Sequence, residues 1–92
     1  MSVKRYCMVV KGRVQGVGFR FFTCNHARKH HCTGWVRNRG DGCVELEVQG
    51  EEEVLKVFQT EINAGPILSK VRELTVTEIP VTADEQQFNI TH

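Results

Sequence analysis

The order in which strand-like and helix-like segments follow one another constrains the fold of this chain most strongly. Alternating or β-branched apolar runs indicate strands, whereas apolar residues at helical spacing without an internal Gly or Pro indicate helices. The first half of the chain is predicted to form a strand over Lys4–Lys11, a helix over Arg20–His31, and strands over Thr33–Asn38 and Val44–Val48 that a hairpin turn at Arg39–Gly42 joins. The second half is predicted to form a helix from Glu51 to the Gly65-Pro66 stop, a strand over Val71–Ile79 and a short strand over Phe88–Ile90. The second helix carries an apolar stripe of Val54, Val57, Phe58 and Ile62.

This βαββαβ order predicts an α+β fold, the ferredoxin-like sandwich, plus a short C-terminal strand. Two right-handed crossovers of this kind build an antiparallel sheet with both helices on one face. The first two strands then run parallel, with the third strand between them. The C-terminal ends of the first two strands therefore meet at one edge of the sheet, although they lie far apart in sequence.

Length and charge limit the functional classes. With 92 residues, the chain is predicted to form a single domain over residues 1–92. Its formal net charge of +1 gives no reason to expect a nucleic-acid or membrane partner. The apolar run near the start, Tyr6–Val10, is too short for a secretory or membrane-spanning segment. We therefore expect a cytoplasmic protein, and we expect a monomer because no apolar stripe remains for an interface.

The stretch GRVQGVGFR, residues 12–20, suggests an anion site. Gly16 and Gly18 allow backbone conformations that a side chain would forbid, and the stretch leads directly into a helix N-terminus, where free amides and the helix dipole favour an anion. Arg20 in the first helical turn opposes that dipole, and a bound anion would remove the conflict. The same residues are also compatible with a tight strand-to-helix turn and solvated arginines.

The motifs exclude several kinds of phosphate chemistry. The run GVGFRF, which starts at Gly16 in this stretch, has no third glycine for a dinucleotide fingerprint, and no Gly-Lys-Ser/Thr follows for a nucleotide-triphosphate loop. It has no cysteine nucleophile, and Asp41, in the hairpin, is expected to be a turn residue rather than a magnesium ligand. A site of amides, Arg20 and the neutral Asn38 can position a water but supplies no strong acid. The substrate must bring a good leaving group, as a carboxylic-phosphoric anhydride does.

The loop GRVQGVGFR and the strand TGWVRN, followed by a glycine-containing turn and VELEVQG, resemble the acylphosphatase family nearly end to end. The resemblance implies hydrolysis of acyl phosphates to a carboxylate and inorganic phosphate, without a cofactor or metal. It implies that Arg20 binds the phosphate and that Asn38 orients the attacking water. It also implies a phosphate cradle that is formed by Gln15, Gly16, Val17, Gly18 and Phe19.

Two other functions remain open at this level. The same fold carries RNA-recognition domains, but the segment CVELEVQ has no aromatic residue on which a base could stack. Acylphosphatase-like domains also occur within larger enzymes that use carbamoyl phosphate, so a non-enzymatic binding domain is the alternative to a free-standing enzyme.

Cysteine and histidine residues crowd the first helix, where Cys24, His26, His30, His31 and Cys32 fall within nine residues. His26 and His30 are one helical turn apart, but no C-x-x-C is present. The sequence therefore favours surface histidines and free thiols over a metal site.

Overall fold

The computed structural model describes residues 2–92. Five strands and two helices follow one another in the predicted order. Their bounds are β1 Val3–Arg13, α1 Phe19–Lys29, β2 Thr33–Asn38, β3 Val44–Glu51, α2 Glu52–Ala64, β4 Lys70–Ile79 and β5 Phe88–Ile90. None of the helices in this part of the chain is long and apolar enough to cross a membrane.

The strands form one sheet in the order β4-β1-β3-β2-β5. Strand β3 pairs antiparallel with both β1 and β2, so β1 and β2 run parallel on either side of it, as predicted. The short C-terminal strand β5 pairs parallel with β2, which makes the sheet mixed. This ferredoxin-like topology brings the C-terminal ends of β1 and β2 to the same edge of the sheet.

The core lies between the sheet and the two helices. Along β3 the residues Val44, Leu46 and Val48 are fully buried while the glutamates between them are not, as expected for a strand with one covered face. Phe19 from α1 and Phe58 from α2 fill the space above them. The sheet thereby gives the loop that follows β1 a rigid base.

Helix α2 buries Leu55, Phe58 and Ile62, so the predicted stripe was wrong at one position. Val57 is 51% exposed. Successive helical residues are about 100° apart, and Val57 lies to the side of Phe58 that faces away from Leu55 and Ile62. Leu55 takes the place that the sequence interpretation gave to Val57.

Helix α1 ends two residues before the predicted His31. His31 has φ 58°, the left-handed conformation that usually ends a helix at glycine. The N–H of Cys32 donates to the carbonyl of Ala27 at 2.9 Å, and the N–H of His31 donates to that of Arg28 at 3.1 Å. These two bonds form a Schellman motif with a histidine at the position that glycine usually takes. Because no glycine marks this position, the sequence did not predict where the helix ends.

Candidate active site

The loop between β1 and α1 is held at both ends and open in the middle. Val14 and Phe19 are each 1% exposed and anchor the two ends in the core. Between them Gly16 has φ 75° and Gly18 has φ 80°, and open space surrounds both α-carbons. Glycine is therefore favoured at these two positions by the backbone conformation and not by crowding.

The N-terminus of α1 has no protein cap. Gly18 occupies the N-cap position without a side chain, and the first turn contains no acidic residue. The carbonyl of Gly18 accepts the N–H of Phe22 at 3.0 Å. The N–H groups of Phe19, Arg20 and Phe21 donate no backbone hydrogen bond to any residue in the range 2–92. The positive end of the helix dipole therefore faces an open loop.

Arg20 differs from the arginines of the neighbouring hairpin in its contacts. Arg37 lies 2.6 Å from the Glu45 carboxylate, and Arg39 lies 2.8 Å from that of Asp41. Arg20 is half-buried as a residue, and its guanidinium has no ion-pair partner within residues 2–92. The charges of Arg37 and Arg39 are thus paired with carboxylates, whereas the charge of Arg20 has no such partner in the described residues.

Asn38 is the last residue of β2 and is brought to the loop by the sheet register. Val44 of β3 pairs with Val10 of β1 on one side and with Asn38 on the other. Because neighbouring strands are about 4.8 Å apart, the α-carbons of Val10 and Asn38 are about 10 Å apart. Asn38 also shares the side of β2 that faces the helices, since it lies two residues after the buried Val36.

Gln15 ties the loop to the hairpin that follows Asn38. Its side-chain Nε2 donates to the carbonyl oxygen of Arg39 at 2.8 Å and to that of Cys43 at 2.9 Å. The Cys43 carbonyl also accepts the N–H of Arg39 at 2.8 Å. These bonds hold the loop beside the end of β2, and sequence reasoning missed them because they join segments more than twenty residues apart.

The hairpin supplies no obvious nucleophile or metal ligand to the loop. The Asp41 carboxylate accepts the N–H of Cys43 at 3.1 Å, so it serves the turn as predicted. That hydrogen bond, together with the charge of Arg39, holds the pKa of the Asp41 carboxyl below its usual value. Burial and the nearby Asp41 raise the pKa of the Cys43 thiol, which keeps it protonated at neutral pH.

Comparison with known proteins identifies the family. The acylphosphatase family matches residues 6–90 of the chain. An acylphosphatase of Geobacillus kaustophilus is 48% identical over 88 residues, which cover 96% of this chain and 94% of that protein. The chain belongs to the acylphosphatase family.

Solved acylphosphatases share the whole architecture. The crystal structure of the acylphosphatase of Bacillus subtilis has a TM-score of 0.93 and 40% identity, and it covers 97% of this chain and 99% of that one. A similar unit occurs in full-length HypF in its phosphate- and nucleotide-bound form, with a TM-score of 0.91 and 36% identity over 99% of this chain but only 12% of that one. The acylphosphatase fold is thus found both alone and within a much larger protein.

Proposed function

We propose that this acylphosphatase hydrolyses the carboxyl–phosphate bond of acyl phosphates with the phosphoryl group bound at the glycine loop. The observation that carries the proposal is Arg20, a half-buried residue whose guanidinium has no ion-pair partner in residues 2–92 and which lies at an uncapped helix N-terminus. An anion at this place would accept hydrogen bonds from the free amides and from Arg20 together.

The binding groups are main-chain amides together with Arg20. Phe19 is buried and Val17 packs against the core, so these residues offer their N–H groups and not their side chains. Gly16 and Gly18 let those N–H groups converge. The planar guanidinium of Arg20 can bond two phosphoryl oxygens at once and stabilises the charge that they share in the transition state.

Asn38 is proposed to orient the attacking water. The water oxygen forms a bond to phosphorus in line with the breaking bond to the carboxylate oxygen, whose electron pair leaves with the carboxylate. The proton of the water passes to the phosphate product or to solvent. Carboxylic acids have pKa values of about 4, so the leaving group needs no general acid. A neutral amide is therefore sufficient, because its task is position and not proton transfer.

Gln15 acts in this proposal as a positioning residue as well as a member of the cradle. Its two bonds to the Arg39 and Cys43 carbonyls fix the distance between the loop and the end of β2. Phosphate held by the loop and water held by Asn38 must meet at a definite distance, and a small misplacement is costly in such reactions.

The partners that we propose are a small acyl phosphate and its product, inorganic phosphate. Acetyl, carbamoyl and glyceroyl phosphates all satisfy the site, because the residues described touch only the phosphate end. A monomer in the cytoplasm, without a nucleic-acid or membrane partner and without a cofactor, remains our expectation.

A turnover assay on a small aromatic acyl phosphate, run beside a titration with inorganic phosphate, tests the proposal. We expect release of the carboxylate and competitive inhibition by phosphate. Phosphate binding without turnover would contradict the proposed hydrolysis, and turnover without phosphate inhibition would contradict the assignment of the loop.

The alternative is a non-enzymatic domain that binds phosphate or carbamoyl phosphate. It is favoured by the similarity to 12% of full-length HypF, a far longer protein. Against it, the Bacillus subtilis structure is matched over 99% of its length. The same paired assay separates the two functions, since the alternative predicts binding in the absence of hydrolysis.

A further inference from the structure

The far end of α1 carries a second cluster of polar side chains, away from the glycine loop. His26 and His30 lie one turn apart on α1 and face Glu61 on α2. The Nε2 of His30 lies 2.8 Å from Oε1 of Glu61, and the Nδ1 of His26 lies 3.0 Å from the same oxygen. Both histidines, which the sequence interpretation placed at the surface, are partly buried, with side chains 24% and 19% exposed.

The cluster leaves one nitrogen unsatisfied. Nδ1 of His26 is buried and has no hydrogen-bond partner, because its close approach to Glu61 has poor hydrogen-bond geometry. Buried polar atoms are nearly always paired, so this unsatisfied nitrogen beside a carboxylate is a candidate ligand atom for a bound ion. The ring of His26 also packs against that of Phe22 in a tilted arrangement, with a centroid distance of 4.3 Å.

We propose that His26, His30 and Glu61 form a binding site for a divalent transition-metal ion, with Zn²⁺ as the best match, that links α1 to α2. Two imidazole nitrogens and one carboxylate oxygen are a ligand set that Zn²⁺ takes in proteins, with the fourth position left to water. The three ligand atoms already lie within 4.8 Å of one another.

Two of the three distances between the ligand atoms, those to Glu61, are close to the values around a bound zinc ion, and the third, between the imidazole nitrogens, is within 4.8 Å. Zinc bonds of about 2.0–2.1 Å at tetrahedral angles place ligand atoms about 3.3 Å apart. The contacts of 2.8 and 3.0 Å to Glu61 therefore need to lengthen by only a few tenths of an ångström. His26 would bind through Nδ1 and His30 through Nε2, each as the neutral tautomer with its proton on the other nitrogen.

Glu61 supplies the negative charge that a cation requires, and the ammonium of Lys29 partly offsets it. Burial alone would raise the pKa of the Glu61 carboxyl, but contacts with His30, Lys29 and His26 lower it to about 2, so it is an anion at neutral pH. Lys29 lies 3.1 Å from Oε2 of Glu61 and leaves Oε1 to the imidazoles. The negative end of the α1 dipole lies in the same turn and also favours a cation.

Zinc titration of the metal-free protein by calorimetry tests the site. We expect one Zn²⁺ per chain and a loss of affinity of about tenfold or more in each of His26→Gln, His30→Gln and Glu61→Gln, because each removes one of three ligands. The matched control is His92→Gln, which removes an exposed histidine at the C-terminus and should bind as the wild type does. Equal affinity in the wild type and the three ligand variants would overturn the proposal.

Co²⁺ as a spectroscopic probe keeps the test decisive if a variant fails to fold. In the wild-type protein we expect the intense visible bands of four-coordinate Co²⁺ without the near-ultraviolet band of thiolate ligation, and displacement of these bands by Zn²⁺. A thiolate band would assign the metal to the cysteines, and the absence of any bound metal would show a hydrogen-bonded cluster only; either result contradicts the site.

The metal site and the proposed hydrolysis fail independently. His26, the nearer histidine ligand, lies six residues from Arg20, which is about 9 Å along the helix axis. Turnover of the acyl phosphate is therefore expected to be the same with and without Zn²⁺, and the calorimetric result does not depend on activity.

Discussion

Arg5 is a buried arginine and Arg20 is a half-buried one, and they differ in what their guanidinium groups contact. Arg5 is 2% exposed and bonds to Glu47 at 2.9 Å and to Glu85 at 2.8 Å, with further bonds to Gln49 and Thr82. These contacts fasten the segment before β5 to the sheet. Arg20 is half-buried and has no ion pair within residues 2–92.

We interpret the difference as one between a charge used for folding, at Arg5, and a charge that we propose binds the phosphoryl group, at Arg20. A buried ion is tolerated when carboxylates and hydrogen bonds satisfy it, which is the case for Arg5. Burial alone would lower the pKa of Arg5, but its bonds to Glu85 and Glu47 raise it. Arg20 has no such compensation and opposes the α1 dipole, so it costs stability unless an anion binds. Substitutions at the two positions should therefore have opposite consequences.

The largest expected effect is on turnover in Arg20→Ala. Without the guanidinium we expect kcat/KM for an aromatic acyl phosphate to fall by about a thousandfold or more, and inhibition by phosphate to weaken. Arg20→Lys should recover little because it lacks the planar fork. Arg13→Ala, an exposed arginine at the start of the same loop, is the matched control and should keep its activity. Wild-type turnover in Arg20→Ala would contradict the proposal that Arg20 binds the phosphoryl group.

The second largest effect is expected at Asn38, and it distinguishes binding of phosphate from the reaction itself. Asn38→Ala should lower kcat by about a hundredfold while the inhibition constant of phosphate stays near its normal value, because a residue that orients water acts in the reaction and not in ground-state binding. Steady-state kinetics with phosphate as inhibitor measures both quantities. A variant that keeps its rate and loses phosphate binding would exchange the roles of Asn38 and Arg20.

Arg5→Met should lower stability rather than turnover, the opposite of what is expected for Arg20→Ala. The substitution leaves the carboxylates of Glu47 and Glu85 without their partner, and we expect the free energy of unfolding to fall by about 2–3 kcal/mol. Turnover of the folded variant should change little. Urea unfolding of Arg5→Met beside Arg20→Ala measures the contrast, and equal stability of Arg5→Met and the wild type would show that the network is not structural.

The smallest effect concerns pH. Burial would raise the pKa of the Glu85 carboxyl, but hydrogen bonds from Arg5 and Thr33 lower it below its usual 4.5. The stability that this carboxylate contributes is complete above pH 4.5 and is lost as the pH falls towards the lowered value. Glu85→Gln should thus reduce the acid sensitivity of unfolding, whereas Glu53→Gln, at an exposed residue, should not. Parallel pH profiles for Glu85→Gln and the wild type would contradict this.

The sequence predicted the parts of the site that depend on local pattern and topology. The element order predicts that β1 and β2 end at one edge of the sheet, and the observed register confirms it. The bonds of Gln15 that hold the loop beside the end of β2 were not predictable in this way. The burial of Arg5 was not predictable, because its partners lie 42 or more residues away. Glu61, which completes the histidine cluster, was missed for the same reason: the packing of α1 on α2 is tertiary and leaves no periodic signal in either helix.

Titration of the isotopically labelled protein with inorganic phosphate, followed by amide and arginine Nε–H resonances, tests the central contrast most directly. We expect saturable changes in chemical shift at the amides of residues 15–20 and at Nε–H of Arg20, whereas the Nε–H resonance of Arg5 should not change. Shifts confined to other arginines, or saturation without any change at Arg20, would contradict the claim that its guanidinium is the one reserved for the phosphoryl group.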